Sequence, residues 1–76
     1  MLQMLKKIMS QTLRISENNI HNEAKMSDIP EWDSLSHMNL IIDIEKEYGI
    51  QLSGEDIADM QSIPKIIDAI TRNLSR

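Results

Sequence analysis

The sequence predicts a small all-α protein, a four-helix bundle of three main helices and one short helix. Three observations favour this class. The chain has 76 residues, 41% apolar and 26% charged, which is typical of a globular domain. Its apolar residues recur at helical spacing in three segments. It has no Val, and its Ile residues follow that same helical spacing rather than the alternation of strands. We expect residues 1–76 to form a single domain.

The first helix is predicted over residues 2–14, because apolar residues there follow a 3.6-residue period and polar residues cover the opposite face. The predicted core positions are Leu5, Ile8, Met9 and Leu13. A long connection rich in Ser, Asn, Glu and Asp follows over residues 16–33. Because long loops in small domains are usually functional or tied down, we expect apolar side chains to tether it. The expected tethers are Ile20, Met26, Ile29 and Trp32.

The second helix is predicted from Ser34 to about Tyr48, with Asp33 or Ser34 as its N-cap and Gly49 at its C-terminal exit. Its apolar residues form two stripes about 140° apart on the helix surface. One stripe consists of Leu40, Ile41, Ile44 and Tyr48, and the other of Leu35, Met38 and Ile42. One stripe must face the core. The second either faces a partner or is covered by the rest of the bundle.

Two further helices complete the prediction. A short third helix follows Ser53, where Ser-Gly-Glu-Asp resembles a capping box. The last helix opens at Ser62 and has Pro64 in its first turn. Its regular apolar stripe comprises Ile63, Ile66, Ile67, Ile70 and Leu74.

Charge and composition exclude several classes of protein. Residues 15–60 hold eleven acidic and two basic side chains, so the middle of the chain carries −9 and the two ends together +5. An acidic middle repels phosphate backbones, which argues against nucleic acid and favours a partner with a basic patch. There is no Cys, which excludes disulfides, thiolate metal sites and Cys nucleophiles. No apolar run is long enough for a membrane span, and the N-terminus lacks the order of a signal peptide, so we expect a cytoplasmic protein.

The tripeptide Asp33-Ser34-Leu35 stands at the head of the second helix. A Ser in this place is exposed, and its oxygen lies beside unpaired helix N–H groups. An anion attached to that oxygen is stabilised by those donors and by the helix dipole. The site therefore suits a phosphate ester. Taken alone, the tripeptide is better explained as an ordinary helix cap.

The segment WDSLSHMNLI (residues 32–41), followed by IEKEYGI (residues 44–50), resembles the acyl carrier protein family. The resemblance covers nearly the whole chain, including the first helix, the acidic loop and the opening of the last helix. It implies that Ser34 receives 4′-phosphopantetheine from coenzyme A and that the thiol of this arm holds an acyl or aminoacyl group as a thioester. It also implies that Asp33 helps position the Mg²⁺-dependent transferase chemistry. Leu35, Met38 and Ile42 match positions of the partner-contact surface or of the mouth of the acyl cavity.

The resemblance further implies a set of partners: a phosphopantetheinyl transferase, a cargo-loading ligase or acyltransferase, and a downstream synthase or transferase. The carrier is expected to be a monomer with no catalytic residue and no resident metal. Carriers of general fatty-acid synthesis usually have acids two and five residues after the modified Ser, where this chain has Ser36 and Asn39. Its acids come later, at Asp43, Glu45 and Glu47, and we expect them to contact partners. These departures favour a free-standing carrier of a specialised pathway over the housekeeping carrier.

Other functions fit the sequence less well. Asp33, Ser34 and His37 suggest a hydrolase, but there is no Gly-x-Ser-x-Gly elbow and no shielded oxyanion hole, so His37 is interpreted as a surface or boundary residue. The acids after residue 42 resemble a calcium loop only faintly, because Gly49 and Gly54 fall at the wrong positions. A helical interaction module without a prosthetic group remains the main alternative.

Overall fold

The computed structural model describes residues 1–75 and contains four α-helices. They are α1 (Leu2–Leu13), α2 (Ser34–Tyr48), α3 (Gly54–Asp59) and α4 (Ile63–Leu74). This confirms the predicted all-α bundle of three main helices and one short helix. The N-caps of α3 and α4 are Ser53 and Ser62, whose side chains accept hydrogen bonds from the first turn of each helix.

The core lies between α1, α2 and α4, with α1 packed against α2. It consists almost entirely of aliphatic side chains, each of which contributes roughly 1.5–3 kcal/mol when fully buried. The predicted stripe of α1 is buried as expected. The side chains that solvent does not reach at all are Leu5, Met9, Leu40, Ile44, Met60, Ile63, Ile66 and Ile70.

The long connection between α1 and α2 is tied down along its length. Ile20, Ile29 and Trp32 are buried and Met26 is partly buried, so the predicted tethers are in place. The connection also pairs with the start of α4, since the N–H of Met26 donates to the Gln61 carbonyl. Two 3-10 turns, Glu17–Asn19 and Met26–Asp28, shape the loop. Three-residue turns are too short to show a periodic pattern, so they are not predictable from apolar spacing.

The end of α4 departs from the prediction. Leu74 was placed on the apolar stripe, yet 48% of its surface is exposed, and Ile67 is only partly buried. Leu74 is the last residue of the helix, where the core beneath α4 has ended. Ala69, which the stripe omitted, is buried instead. The stripe therefore predicted the helix correctly and its packing only in part.

Candidate attachment site at the head of α2

The first turn of α2 is organised by Asp33, which decides between the two predicted caps. Asp33 Oδ1 accepts the backbone N–H of Ser36 at 2.8 Å, and the Asp33 carbonyl accepts the N–H of His37 at 2.8 Å. The hydrogen bond from the Ser36 N–H lowers the pKa of Asp33 below its ordinary value of 3.8. Asp33 is thus the N-cap, and it carries a negative charge at neutral pH.

Ser34 is the first residue of α2, and its side chain is exposed. Because Asp33 supplies the cap, the Ser34 hydroxyl is not needed for it. The positive end of the helix dipole lies beside the hydroxyl and stabilises an anion attached there. An exposed hydroxyl at a helix N-terminus fits the chemistry of a phosphate-linked prosthetic group.

The outer stripe of α2, formed by Leu35, Met38 and Ile42, begins directly next to Ser34. Their exposed fractions are 74%, 48% and 46%. Leu40, Ile41 and Ile44 of the inner stripe are at most 2% exposed, and its last member, Tyr48, is partly buried. This answers the question that the sequence left open: the bundle covers only the inner stripe. The outer stripe is an apolar strip on the surface beside the Ser34 hydroxyl.

The three predicted partner-contacting acids of α2 lie in different places. Asp43 accepts a hydrogen bond from Thr12 Oγ1 of α1, and Glu47 borders a shallow surface depression between α1 and α2. At 100° per residue, both lie more than about 100° from the centre of the outer stripe. Glu45 lies about 50° from that centre by the same geometry. Its Oε2 accepts the backbone N–H of Leu52 at 2.9 Å. The structure therefore places only Glu45 close to the outer stripe.

His37 is buried, with 7% of its surface exposed, so its interpretation as a surface or boundary residue was wrong. Its Nδ1 accepts the indole N–H of Trp32 at 2.9 Å, and its Nε2 lies 2.9 Å from the carbonyl oxygen of Ile57. A polar ring is tolerated in the core because both of its nitrogens are paired. Both nitrogens are also committed to groups other than Ser34, so the ring does not serve Ser34 as a base.

The sequence contained a signal for this burial. His37 stands three, four and seven residues before Leu40, Ile41 and Ile44, which is the spacing of one helix face. The polarity of the His37 side chain favours the surface, whereas its position on the helix favours the core. The single Trp of the chain, five residues earlier, was the second clue, because a buried indole N–H needs an acceptor.

Comparison with known proteins decides the family. A family model described as "Phosphopantetheine attachment site" matches residues 3–70. The acyl carrier protein of Buchnera aphidicola from Schizaphis graminum is 39% identical over 66 residues, covering 87% of this chain and 84% of its own. The chain belongs to the acyl carrier protein family.

Other members of the family support the same conclusion. The acyl carrier protein of Thermotoga maritima is 30% identical over 70 residues, covering 92% of this carrier and 86% of its own chain. The solution structure of the holo acyl carrier protein from Geobacter metallireducens superimposes with a TM-score of 0.86 at 31% identity. That alignment covers 99% of this carrier and 86% of the Geobacter chain. The predicted carrier function and the covalent 4′-phosphopantetheine are thereby confirmed. Within residues 1–75, no helix has the length and apolar character to cross a bilayer.

Proposed function

We propose that this acyl carrier holds its cargo on 4′-phosphopantetheine attached to Ser34. The observation that carries the proposal is the exposed Ser34 hydroxyl on the first turn of α2, next to an exposed apolar strip. In the loading reaction, Ser34 Oγ loses its proton and forms a phosphoester, while the pyrophosphate bond of coenzyme A breaks and adenosine 3′,5′-bisphosphate leaves. The arm then supplies the thiol that this Cys-free chain lacks.

We assign Asp33 two roles in that reaction. Its carboxylate holds the first turn in shape by accepting the Ser36 N–H. Its negative charge lies one residue before the reacting hydroxyl, where it attracts the Mg²⁺ on which the transferase depends. The lowered pKa of Asp33 keeps this charge in place throughout the neutral range.

The outer stripe is the proposed docking surface for the enzymes that load and unload the carrier. The partner classes are a phosphopantetheinyl transferase, a cargo-loading ligase or acyltransferase, and a downstream synthase or transferase. Glu45 adds charge beside the stripe, whereas Asp43 and Glu47 meet only a partner that reaches around α2 towards α1. A basic patch on the partner complements this acidic helix and speeds encounter.

The attachment site is tested by intact mass after incubation with a phosphopantetheinyl transferase, coenzyme A and Mg²⁺. Wild type should gain one phosphopantetheine, and Ser34→Ala should gain none while melting at the wild-type temperature. Ser36→Ala is the matched control, because it removes another hydroxyl from the same turn and should label normally. Labelling of Ser34→Ala, or its loss in Ser36→Ala, contradicts the assignment.

We further propose that the carrier serves a specialised pathway rather than general fatty-acid synthesis. The support is the pair of neutral residues, Ser36 and Asn39, at positions where housekeeping carriers usually have acids. The cytoplasmic location and the monomeric state expected from the sequence stay predictions. The cargo is best identified by recovering the holo protein from its native cell and measuring the mass of the bound thioester.

A further inference from the structure

Three residues from different parts of the chain form a buried hydrogen-bonded relay. The indole Nε1–H of Trp32 donates to His37 Nδ1, and His37 Nε2 pairs with the Ile57 carbonyl oxygen, both at 2.9 Å. Trp32 is 2% exposed and His37 is 7% exposed, so water competes little for these bonds. The relay joins the loop before α2, the first turns of α2, and α3.

The chemistry of the indole fixes the state of the imidazole. An indole nitrogen is a donor only, so His37 Nδ1 has to accept and carries no proton. The proton of the neutral ring is then on Nε2, which donates it to Ile57. Both hydrogen bonds of the relay therefore point the same way: Trp32 donates to His37, and His37 donates to Ile57 of α3.

At its Ile57 end the relay contacts α3, a helix that is too short to be stable without tertiary contacts. α3 has six residues, and helices this short depend on tertiary contacts. The Ile57 carbonyl is among the last four of α3, which lack ordinary helical partners. Besides the bond from His37, it accepts a long bond of 3.3 Å from the Met60 N–H. His37 thus caps the C-terminal end of α3. Asp56, which accepts from Asn73 and pairs with Arg72 on α4, holds α3 from another side.

At its near end the relay fixes the segment that carries Ser34. Trp32 lies two residues before Ser34 and His37 three residues after it, so the exposed hydroxyl is bracketed by two buried, mutually bonded side chains. The Trp32 backbone N–H also donates to Ile29 at 3.0 Å. The position of Ser34 is therefore set by the relay together with the Asp33 cap.

We propose that Trp32 and His37 are positioning residues for the reactions at Ser34, and that the relay couples the placement of Ser34 to the placement of α3. The proposal rests on Ser34 being the attachment site. Breaking the relay at either bond leaves the Ser34 segment more mobile before it docks. An enzyme that binds the apo carrier then has to order the segment, so the change appears chiefly in KM rather than in kcat.

Three substitutions break the relay at chosen bonds. Trp32→Phe keeps an aromatic ring and removes the indole donor together with part of the buried ring volume, a packing loss for which the core variant Ile8→Val serves as the control. His37→Gln places an amide nitrogen near the position of Nε2, so it keeps the bond to Ile57 and loses the Trp32 bond. His37→Asn places an oxygen near the position of Nδ1, so it keeps the Trp32 bond and releases α3. Losing one net hydrogen bond corresponds to about a two- to ten-fold rise in the transferase KM for the apo carrier.

The coupling between Ser34 and α3 is measured at the end of the relay opposite to the hydrogen bond that is removed. Amide hydrogen exchange in α3 should accelerate in Trp32→Phe, although Trp32 has no hydrogen bond to α3. The transferase KM should rise in His37→Asn, although its bond to Trp32 is retained. Imidazole ¹⁵N shifts of the wild-type protein at neutral pH should show the proton on Nε2. Ile8→Val on α1 is the control, because it destabilises the core without touching the relay.

The outcomes separate this proposal from the attachment site itself. If mass mapping places the label outside Ser34, the proposed function fails first. If Ser34 is labelled and KM is unchanged in all three variants, the positioning role is wrong. A KM rise in Ile8→Val equal to that of Trp32→Phe at equal melting temperature shows a general stability effect and also overturns it. A proton on His37 Nδ1 in the wild-type protein also overturns the proposal. Amide hydrogen exchange in α3 that is unchanged in Trp32→Phe overturns it as well. A variant that fails to fold is replaced by another, since the three break the relay independently.

Discussion

The outer and inner stripes of α2 are built from similar apolar side chains, but the outer stripe is exposed and the inner stripe is buried. Ile42 is 46% exposed and Ile44 is fully buried, although they stand two residues apart on one helix. Two residues along a helix turn the side chain by about 200°, so one points to the core and the other away from it. Apolar character alone therefore does not decide burial. The placement of α1 and α4 decides it, by covering only one side of α2.

The comparison also explains what each stripe contributes. The inner stripe stabilises the fold, because its side chains leave water when the bundle forms. The side chains of the outer stripe stay in contact with water, so they stabilise the fold less and remain available for contact with a partner beside Ser34. One helix thus combines the core of the bundle with the proposed docking surface.

The inner stripe is tested by Ile44→Ala. The substitution leaves a cavity in a small core, so the free energy of unfolding should fall by about 2–5 kcal/mol in urea denaturation. Ile42→Ala is the matched control on the outer stripe and should change stability by no more than about 0.5 kcal/mol. Equal losses in the two variants would mean that both stripes are buried in solution.

The outer stripe is tested by Met38→Ala and Ile42→Ala in the holo carrier. Each should lower the kcat/KM of the cognate loading enzyme several-fold, because truncating a contact residue in a protein interface costs about 1–2 kcal/mol at effective positions. Leu74→Ala is the control, since Leu74 is as exposed as Met38 but lies at the end of α4. A loss in Leu74→Ala as large as in Met38→Ala contradicts a docking surface confined to α2.

The comparison of stripes also shows how far the sequence could predict this protein. The helices follow from apolar periodicity, from Ser53 and Ser62 as caps, and from Gly49, which takes the left-handed conformation that ends α2. The two stripes were visible too. Which of them is buried depends on neighbours distant in sequence, and a pattern on one helix does not contain that information.

The position of His37 on the inner face of α2 indicated burial, whereas its polarity argued against it. Its partner Ile57 lies twenty residues away, so the paired environment that makes a buried imidazole acceptable exists only in the folded chain. Leu74 was assigned to the apolar stripe because it keeps the period, although the core ends before it. The geometry of the Asp-Ser-Leu turn was predictable because it is local: a cap, an exposed hydroxyl and a helix N-terminus lie within three residues.

The cap beside the outer stripe is tested by comparing Asp33→Asn with Asp33→Ala. Asn keeps an oxygen for the Ser36 N–H and loses the charge, whereas Ala loses both. The rate of transferase labelling should fall in both variants because both lose the negative charge. Only Asp33→Ala should have a clearly lower melting temperature, because only it loses the cap. Because the folded-state pKa of Asp33 is lowered, its contribution to stability is present above the ordinary value of 3.8 and is lost as pH falls through the folded-state pKa. The acid limb of the stability curve should therefore be shallower in Asp33→Asn. Wild-type labelling rates in Asp33→Asn would show that only the cap is used.

The smallest expected effect concerns the charges that border the stripes and the pathway they select. Exposed ion pairs are each worth about 0–1 kcal/mol, but several together steer encounter and fix register. Restoring acids through Ser36→Asp and Asn39→Glu should raise kcat/KM with a fatty-acid ketoacyl synthase by about two- to ten-fold, an effect that shrinks as salt is added. Gln3→Glu with Gln11→Glu adds the same charge to exposed positions of α1 and should not raise it. If the kcat/KM of the unaltered carrier with this synthase already equals that of the housekeeping carrier of its own cell, the neutral residues do not mark a specialised pathway. If the α1 pair is equally effective, net charge rather than its place beside Ser34 is what the synthase reads.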